Sequence, residues 1–539
     1  MNSSHGKNGK IVILPLDERP CNYNFPYKLG KSTDYKVVRP PLEWMGCKKQ
    51  PADTARLWTW TELECLRAQG AVLSLDTLLY GGIVPSRLHE LDQAEIARRM
   101  DQLRHLKEQN PNLIIYAFQL IMRCPQYSSS DEEPDYYADW GWEIFRKGYL
   151  EHLYEEQGLD PAEQEELRDI NARLPQEVLI DYLGRRAVNR EANRLALQYV
   201  EEGIIDFLIF PQDDSAPYGY TARDQRLVRE AIREKHLGLH AYMYPGADEV
   251  GCTLLARMVN HFQVAVPSVY LRFGSIEGPH IIPAYEDRRL YETLKYQIIA
   301  AGGMVVSSQS EADLVLLLNT PGEKMGEAVN QGNPSAGYDT ERTLVELVEY
   351  AGYLLDRSSS DILTVEHIDT VVQEEADGNI VPVQTSRPAV AIADIAYANG
   401  GDLELLSLLR QRGILYRLAG YAGWNTSSNT LGTVIAQSMI YLHYGRTREH
   451  LNFLALRYVE DLGYDSIVRK ALSSGPIQEL GLDKFLLDGP RGQVSQMVRE
   501  GLEQFIRDHL EQEGHSVRIL DCYMPWNRMF EVGLNVHAD

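Results

Sequence analysis

The chain has few cysteines and none of the common cofactor signatures. Six cysteines are scattered over 539 residues, with no Cys-x-x-Cys pair. Neither a disulfide framework nor a zinc site is therefore expected. No stretch approaches the roughly 18 uninterrupted apolar residues of a membrane span. The opening residues 1–10 hold no apolar run, so they do not read as a signal peptide, and the cytoplasm is the expected compartment. There is no Gly-x-x-x-x-Gly-Lys-[Ser/Thr], no Gly-x-Gly-x-x-Gly after a strand, no His-Glu-x-x-His and no Gly-x-Ser-x-Gly elbow. These absences argue against a nucleotide cofactor, a helical zinc site and a serine-hydrolase elbow. Positive charge is also scarce: 53 Lys and Arg against 77 Asp and Glu leave a net charge of -24. That balance argues against nucleic acid and anionic membrane surfaces as partners.

What is present is an ordinary globular composition, 44% hydrophobic and 24% charged. Short apolar runs alternate with helical stretches. Strands are expected at 10–16, 71–75, 113–120, 204–210 and 240–244, with helices between them, for example at 92–109 and 185–202. Such alternation predicts a parallel sheet. Further runs at 312–318, 390–395 and 414–418 bring the count to the number that closes a (β/α)8 TIM-like barrel. The barrel would occupy 1–430, with 262–310 as an α/β insertion. Residues 431–539 read as a mainly helical C-terminal region with one late strand at 517–523.

Seven acids stand at or just past these strand ends: Asp17, Asp76, Asp213, Asp214, Asp248, Asp394 and Asp402. One such Asp is ordinarily a helix N-cap, but a barrel would gather all seven at one mouth. The most pointed segment is 204–220, an apolar run closed by Pro211 and followed at once by Asp213-Asp214, then Tyr218 and Tyr220. Like charges held close raise the pKa of one partner. If the chain kinks after Pro211, one acid of the pair is suited to general acid work. Asp17 with Arg19, and Asp76 with Tyr80, suit a clamp on sugar hydroxyls. Arg123 follows the third strand, Asp248 the fifth and Asn399 the seventh. Trp424, beside Asn425, offers a ring for the apolar face of a pyranose, and Trp526 is a second such ring. The acidic, aromatic stretch 131–142 reads as a substrate-side lid.

The Asp213-Asp214 pair resembles the Asp-Asp pair of O-GlcNAcase-like enzymes. It is also similar to the Asp-Glu pair of the classical β-N-acetylhexosaminidases and β-N-acetylgalactosaminidases. That resemblance implies a barrel glycosidase in which the substrate's own 2-acetamido oxygen attacks the anomeric carbon. Asp213 would then polarise the acetamido group and Asp214 would be the acid/base. Tyr244, or its rival Tyr218, would hold the acetamido oxygen. Over nearly its full length the chain also resembles a bacterial family of unknown function. The marks are Leu14-Pro-Leu-Asp-Glu-Arg-Pro-Cys-Asn22, the stretch from Ser74-Leu-Asp-Thr-Leu-Leu-Tyr-Gly-Gly to Arg87, and Gln212-Asp-Asp214. The expectation is a retaining glycosidase that removes terminal β-linked N-acetylgalactosamine or N-acetylglucosamine. It would use no cofactor and no metal, take a small carbohydrate as its partner, and leave room for a homodimer. Two other readings stay open: a carboxylate-metal hydrolase or isomerase of a sugar or sugar phosphate, and a non-catalytic sugar-binding barrel.

Overall fold

The computed structural model describes residues 9–360, 372–374, 380–382, 388–512 and 514–539. Strands β1 (Lys10–Leu14), β2 (Lys36–Val38), β3 (Gly70–Ser74), β4 (Ile114–Phe118), β5 (Phe207–Gln212) and β6 (Ala241–Pro245) form a six-stranded sheet in the order β2-β1-β3-β4-β5-β6. Every ladder in it is parallel. Its strands read as continuous apolar runs rather than alternations, because helices bury both faces of a parallel sheet. In β3 and β5 every residue is buried.

A second parallel sheet contains β7 (Ser268–Phe273), β8 (Met304–Val305), β9 (Leu314–Asn319) and the strands Ala389–Asp394 and Gly420–Ala422. Its order is Gly420–Ala422, Ala389–Asp394, β9, β7, β8. The strands expected to close one ring are thus divided between two sheets. A strand has two hydrogen-bonding edges. Those of β1 are taken by β2 and β3, and those of β9 by β7 and Ala389–Asp394. Short β2 and the supposed insertion strand β7 occupy the edges that closure into a ring would have used.

Two further expectations shift locally. The strand expected at 204–210 begins at Phe207 and runs through Pro211, which pairs with Tyr244, to Gln212. Residues Leu415–Arg417 form a 3-10 turn, and the strand follows at Gly420–Ala422. A Cβ on Gly420 would lie 2.5 Å from Ser438 Oγ, so this glycine lets the strand lie against the following helix.

That helix, Ser427–Tyr444, and the helix Val250–Phe262 form the layer between the sheets. Val250–Phe262 packs on β3 and β4, Ser427–Tyr444 packs on Ala389–Asp394 and Gly420–Ala422, and the two helices pack on each other. One apolar core therefore runs through both sheets. A buried carboxyl sits inside this layer. Glu249 accepts from Ala247 N–H and Gln297 Nε2, each at 2.9 Å, and burial pushes its pKa up to about 8. The chain closes with an 11-residue π-helix, Tyr458–Val468, and an antiparallel hairpin, Val517–Tyr523 with Gly533–Ala538. Among the described residues no helix is long and apolar enough to cross a membrane.

Gly432 marks a close approach between the two central helices, since a Cβ there would lie 2.2 Å from Cγ of Glu249, the N-cap, and 2.9 Å from Thr253 Oγ1. Ala would favour the helix by up to about 1 kcal/mol, but overpacking costs about 1–3 kcal/mol. Gly432→Ala is therefore expected to lower stability by about 1–2 kcal/mol, read as a lower urea midpoint at unchanged m-value. An unchanged or raised midpoint would show that the layer is loosely packed.

Candidate active site

The first sheet delivers its charged residues at the carboxyl ends of its strands, where parallel sheets place ligands. Successive side chains of an extended strand point to opposite faces. Beyond β5 the chain departs from that rule: Asp214 has φ +41, a left-handed conformation that Asp tolerates better than most residues. Both carboxylates consequently reach one guanidinium. Arg123 Nη1 lies 3.0 Å from Asp214 Oδ2 and 3.7 Å from Asp213 Oδ2. Arg87, in the short helix Pro85–Leu88 after β3, donates to Asp213 Oδ2 at 2.9 Å. The Asp213 and Asp214 side chains stay 20% and 32% exposed, so the pair is reachable from solvent.

Arg123 is the hub of this cluster. Its Nε donates to the buried Glu133 at 2.8 Å and its Nη2 to Glu132 at 3.1 Å. Arg87 contacts the same two glutamates, and Arg528 from the C-terminal hairpin donates to Glu132 Oε1 at 2.6 Å. Burial alone would raise the Glu132 pKa. The guanidiniums of Arg123, Arg528, Arg87 and Arg19 outweigh it and hold the carboxyl well below its usual range. Asp214 goes the other way. Burial, and then the neighbouring charge of Asp213, lift it to about 6 although Arg123 and Arg87 oppose the rise.

A second cluster adjoins the first. Arg19, after β1, donates to Asp17 and to Asp248, each at 2.6 Å, and Asn22 Nδ2 donates to the same two carboxyls at 3.0 and 2.8 Å. The charge of Asp213 acts on Asp248 across this arrangement. Trp526 covers the Arg19 guanidinium at 4.8 Å and stands under Arg528 at 4.5 Å. Arg19 and Asp248 then form one wall of a narrow, partly open cleft whose free volume is about 30 Å³. Asn399, Trp424 and Asn425 from the second sheet line it, with Glu460, Asp465 and Arg469 from the π-helix region and Glu531 from the hairpin. A π-helix bonds residue i to i+5, so Glu460 and Asp465 share one face. Burial raises them to about 7 and about 6 respectively. The Asp213-Asp214 pair adjoins this cleft rather than lining it.

Backbone strain is concentrated here. Among the described residues, nine non-glycines have positive φ, and five of them, Asp214, Tyr285, Asn399, Asn425 and Trp526, belong to the pair, to the cleft lining or to side chains in contact with that lining. Each such residue costs on the order of 1–3 kcal/mol and persists where surrounding structure over-determines it, as functional sites do.

The candidates read from the sequence fall into two groups. Asp17, Arg19, Arg123, Asp213, Asp214, Asp248, Asn399, Trp424 and Asn425 are brought together at the pair and the cleft. Trp424 is only 7% exposed and packs edge-to-face with Phe25, so little of its ring is open to serve as a floor. Asp76 and Tyr80 lie below the site. Asp76 accepts from Leu120 N–H at 2.9 Å and burial lifts it to about 7, while Tyr80 stacks on His89. Tyr218 packs against Tyr149 and His152. Tyr244 is wholly buried beside Tyr296 and cannot meet a ligand in this arrangement. Asp402 caps the helix Leu403–Arg412, and Asp394 accepts from Tyr421, Asn319 and the Asp402 N–H. Arg87, Glu132, Glu133, Glu460, Asp465, Arg469, Arg528 and Glu531 were not singled out from the sequence. Arg87 did stand at the end of a quoted motif, and Glu132 and Glu133 in the acidic loop; the others were not part of any stretch read as a site.

Among the described residues no three His, Cys, Asp or Glu side chains are grouped as metal ligands would be. The model of a family described as "Protein of unknown function (DUF4127)" matches residues 11–535. No curated protein matches the chain. The coupling between the paired acids is directly measurable. In Asp213→Asn the Asp214 pKa is expected to fall from about 6 toward the ordinary carboxyl range, because the charge that helps raise it is gone. Carboxyl ¹³C titration reads this, and an unmoved Asp214 would show that the two acids do not act as a pair.

Proposed function

The chain belongs to that family of unknown function, matched over residues 11–535, and from its site we propose a glycoside hydrolase that removes terminal β-linked N-acetylgalactosamine or N-acetylglucosamine. One observation carries the reading. Two adjacent carboxylates are bent onto a single guanidinium, and one of them has a pKa of about 6. A carboxyl with that pKa is still partly protonated near neutral pH and can give its proton to a leaving oxygen. The two parallel sheets serve the chemistry as the mouth of a (β/α)8 barrel would, by turning their strand ends toward one cleft.

In this mechanism Asp214 protonates the glycosidic oxygen as its bond to the anomeric carbon breaks. The substrate's acetamido oxygen forms the new bond to that carbon, and Asp213, paired with Arg87, accepts the acetamido N–H proton. The product of this step is an oxazoline. Asp214, now a carboxylate, takes a proton from water; the water oxygen bonds to the anomeric carbon as that carbon's bond to the oxazoline oxygen breaks, and Asp213 returns its proton to the acetamido nitrogen, with net retention. Nucleophile and electrophile both come from the substrate, so the step needs no cofactor. Asn399, Asn425, Arg19 and Asp248 supply hydrogen bonds to sugar hydroxyls along the cleft.

A panel of aryl β-N-acetylgalactosaminides and β-N-acetylglucosaminides, run with chelator present, tests the reading. Release of the aryl group supports it. Activity that appears only when a divalent ion is restored favours the metal-dependent alternative. Asp214→Ala is expected to lose about 10²–10⁴-fold on poor leaving groups and far less on activated aryl groups, which need no proton. Asp213→Ala is expected to lose both. The kcat/KM of the unaltered chain is expected to decline as pH rises through about 6, where Asp214 gives up its proton. A basic limb that Asp213→Asn leaves in place would detach the rate from this pair.

A further inference from the structure

Tyr285 lies in the connection between β7 and the helix Leu290–Ala300, with φ +68. For an aromatic residue that conformation is a true outlier. The ring is nevertheless 51% exposed, so no core packing explains the strain. Its hydroxyl donates to Glu327 Oε1 at 2.8 Å, and Asn399 donates to the other oxygen of the same carboxylate at 2.9 Å. Asn399 lines the cleft, so the ring is tethered to the cleft wall.

The segment is fixed on its other side too. Glu286 accepts from Ser428 N–H at 2.7 Å and Ser428 Oγ at 2.8 Å. Asp287 accepts from Gln212 Nε2 at 3.3 Å, and Arg288 donates to Gln212 Oε1. Gln212 directly precedes the carboxylate pair, so the loop bearing Tyr285 is pinned beside Asp213 and Asp214. Burial and the Glu327 bond push the Tyr285 hydroxyl up to about 12, with a further contribution from the charge of Asp214. Ile282, on the same segment, is 60% exposed.

A half-exposed ring, held against backbone strain at the cleft mouth and not within it, is placed to meet a ligand's outer part. Resting on the glycosidase reading above, we infer that Tyr285 is the stacking platform for the leaving group. The substrate would therefore carry a second ring, a sugar or an aryl group, on the reducing side of the N-acetylhexosamine. The N-acetylhexosamine itself would lie over the solvent-reachable Asp213-Asp214 pair, along the open side of the cleft, and the bond between the two rings would face Asp214.

The test uses the full chain and two variants. Tyr285→Gly removes the ring and suits φ +68, so its thermal midpoint is expected to be unchanged or raised. Tyr285→Phe keeps the ring and loses only the Glu327 tether. Binding of N-acetylgalactosamine and N-acetylglucosamine, of their β-linked disaccharides and of their aryl β-glycosides is followed by calorimetry in the Asp214→Ala background. The unaltered Tyr285 chain is expected to bind the two-ring ligands more tightly than the monosaccharides. Tyr285→Gly is expected to lose about threefold to tenfold on the two-ring ligands only, the size of one aromatic contact. Tyr285→Phe is expected to restore most of it. Equal affinities in Tyr285→Gly and the parent for every ligand overturn the inference, as does an equal loss on monosaccharides. A lowered midpoint in Tyr285→Gly would make the residue structural and overturn it as well. The ring-dependent increment without any hydrolysis by the wild type would leave the platform standing and remove the glycosidase. Hydrolysis without the increment would do the reverse.

Discussion

The Arg123 guanidinium is the interaction on which the site rests. Glu132, Glu133, Asp213 and Asp214 all face it within 3.7 Å. Without a cation between them, four carboxylates could not share so small a volume. The arrangement also sorts the acids by function. Glu132, ringed by guanidiniums, is held far below its normal range, while Asp214, with one guanidinium contact and an acid neighbour, is held above it. A buried charge is tolerated only when it is paired, and breaking such a pair costs about 3–5 kcal/mol. The loop at 131–133 is thereby tied to the carboxyl end of β5 by charge and not by secondary structure.

The fold explains why these groups meet. Two parallel sheets share a helical layer, Val250–Phe262 against Ser427–Tyr444, and their carboxyl ends turn toward one cleft. The C-terminal hairpin then reaches over from the far end of the chain and adds Trp526, Arg528 and Glu531. Strain gathers where the layers meet, at Asp214, Asn399, Asn425 and Trp526. A stable layered scaffold can hold such conformations because the core runs unbroken through both sheets.

Much of the first sheet was legible in the sequence. β1, β3, β4, β5 and β6 are short, largely apolar runs followed by an acid or an arginine, a pattern produced by burial on both faces. The division of the strands between two sheets was not legible, because edge pairing is a property of neighbours and not of runs. Nothing in Lys36–Val38 announces that it takes one edge of β1. The carboxylate pair was visible because its two members are adjacent. Of its cations only Arg123 was visible, because Arg87 and Arg528 come from other connections, distant in the chain. Tyr244 and Tyr218 misled for the opposite reason: an aromatic beside a strand end looks the same in sequence whether it faces a cleft or the core. The π-helix has no sequence signature, so Glu460 and Asp465 could be found only in three dimensions.

The central claim is that Asp213 and Asp214 serve a reaction in which the substrate supplies its own nucleophile. Proton NMR of the sugar released in the first seconds of turnover tests it most directly. The account predicts that the β-anomer appears first and mutarotates afterwards. First release of the α-anomer, or no released sugar from any β-linked N-acetylhexosaminide, would contradict it.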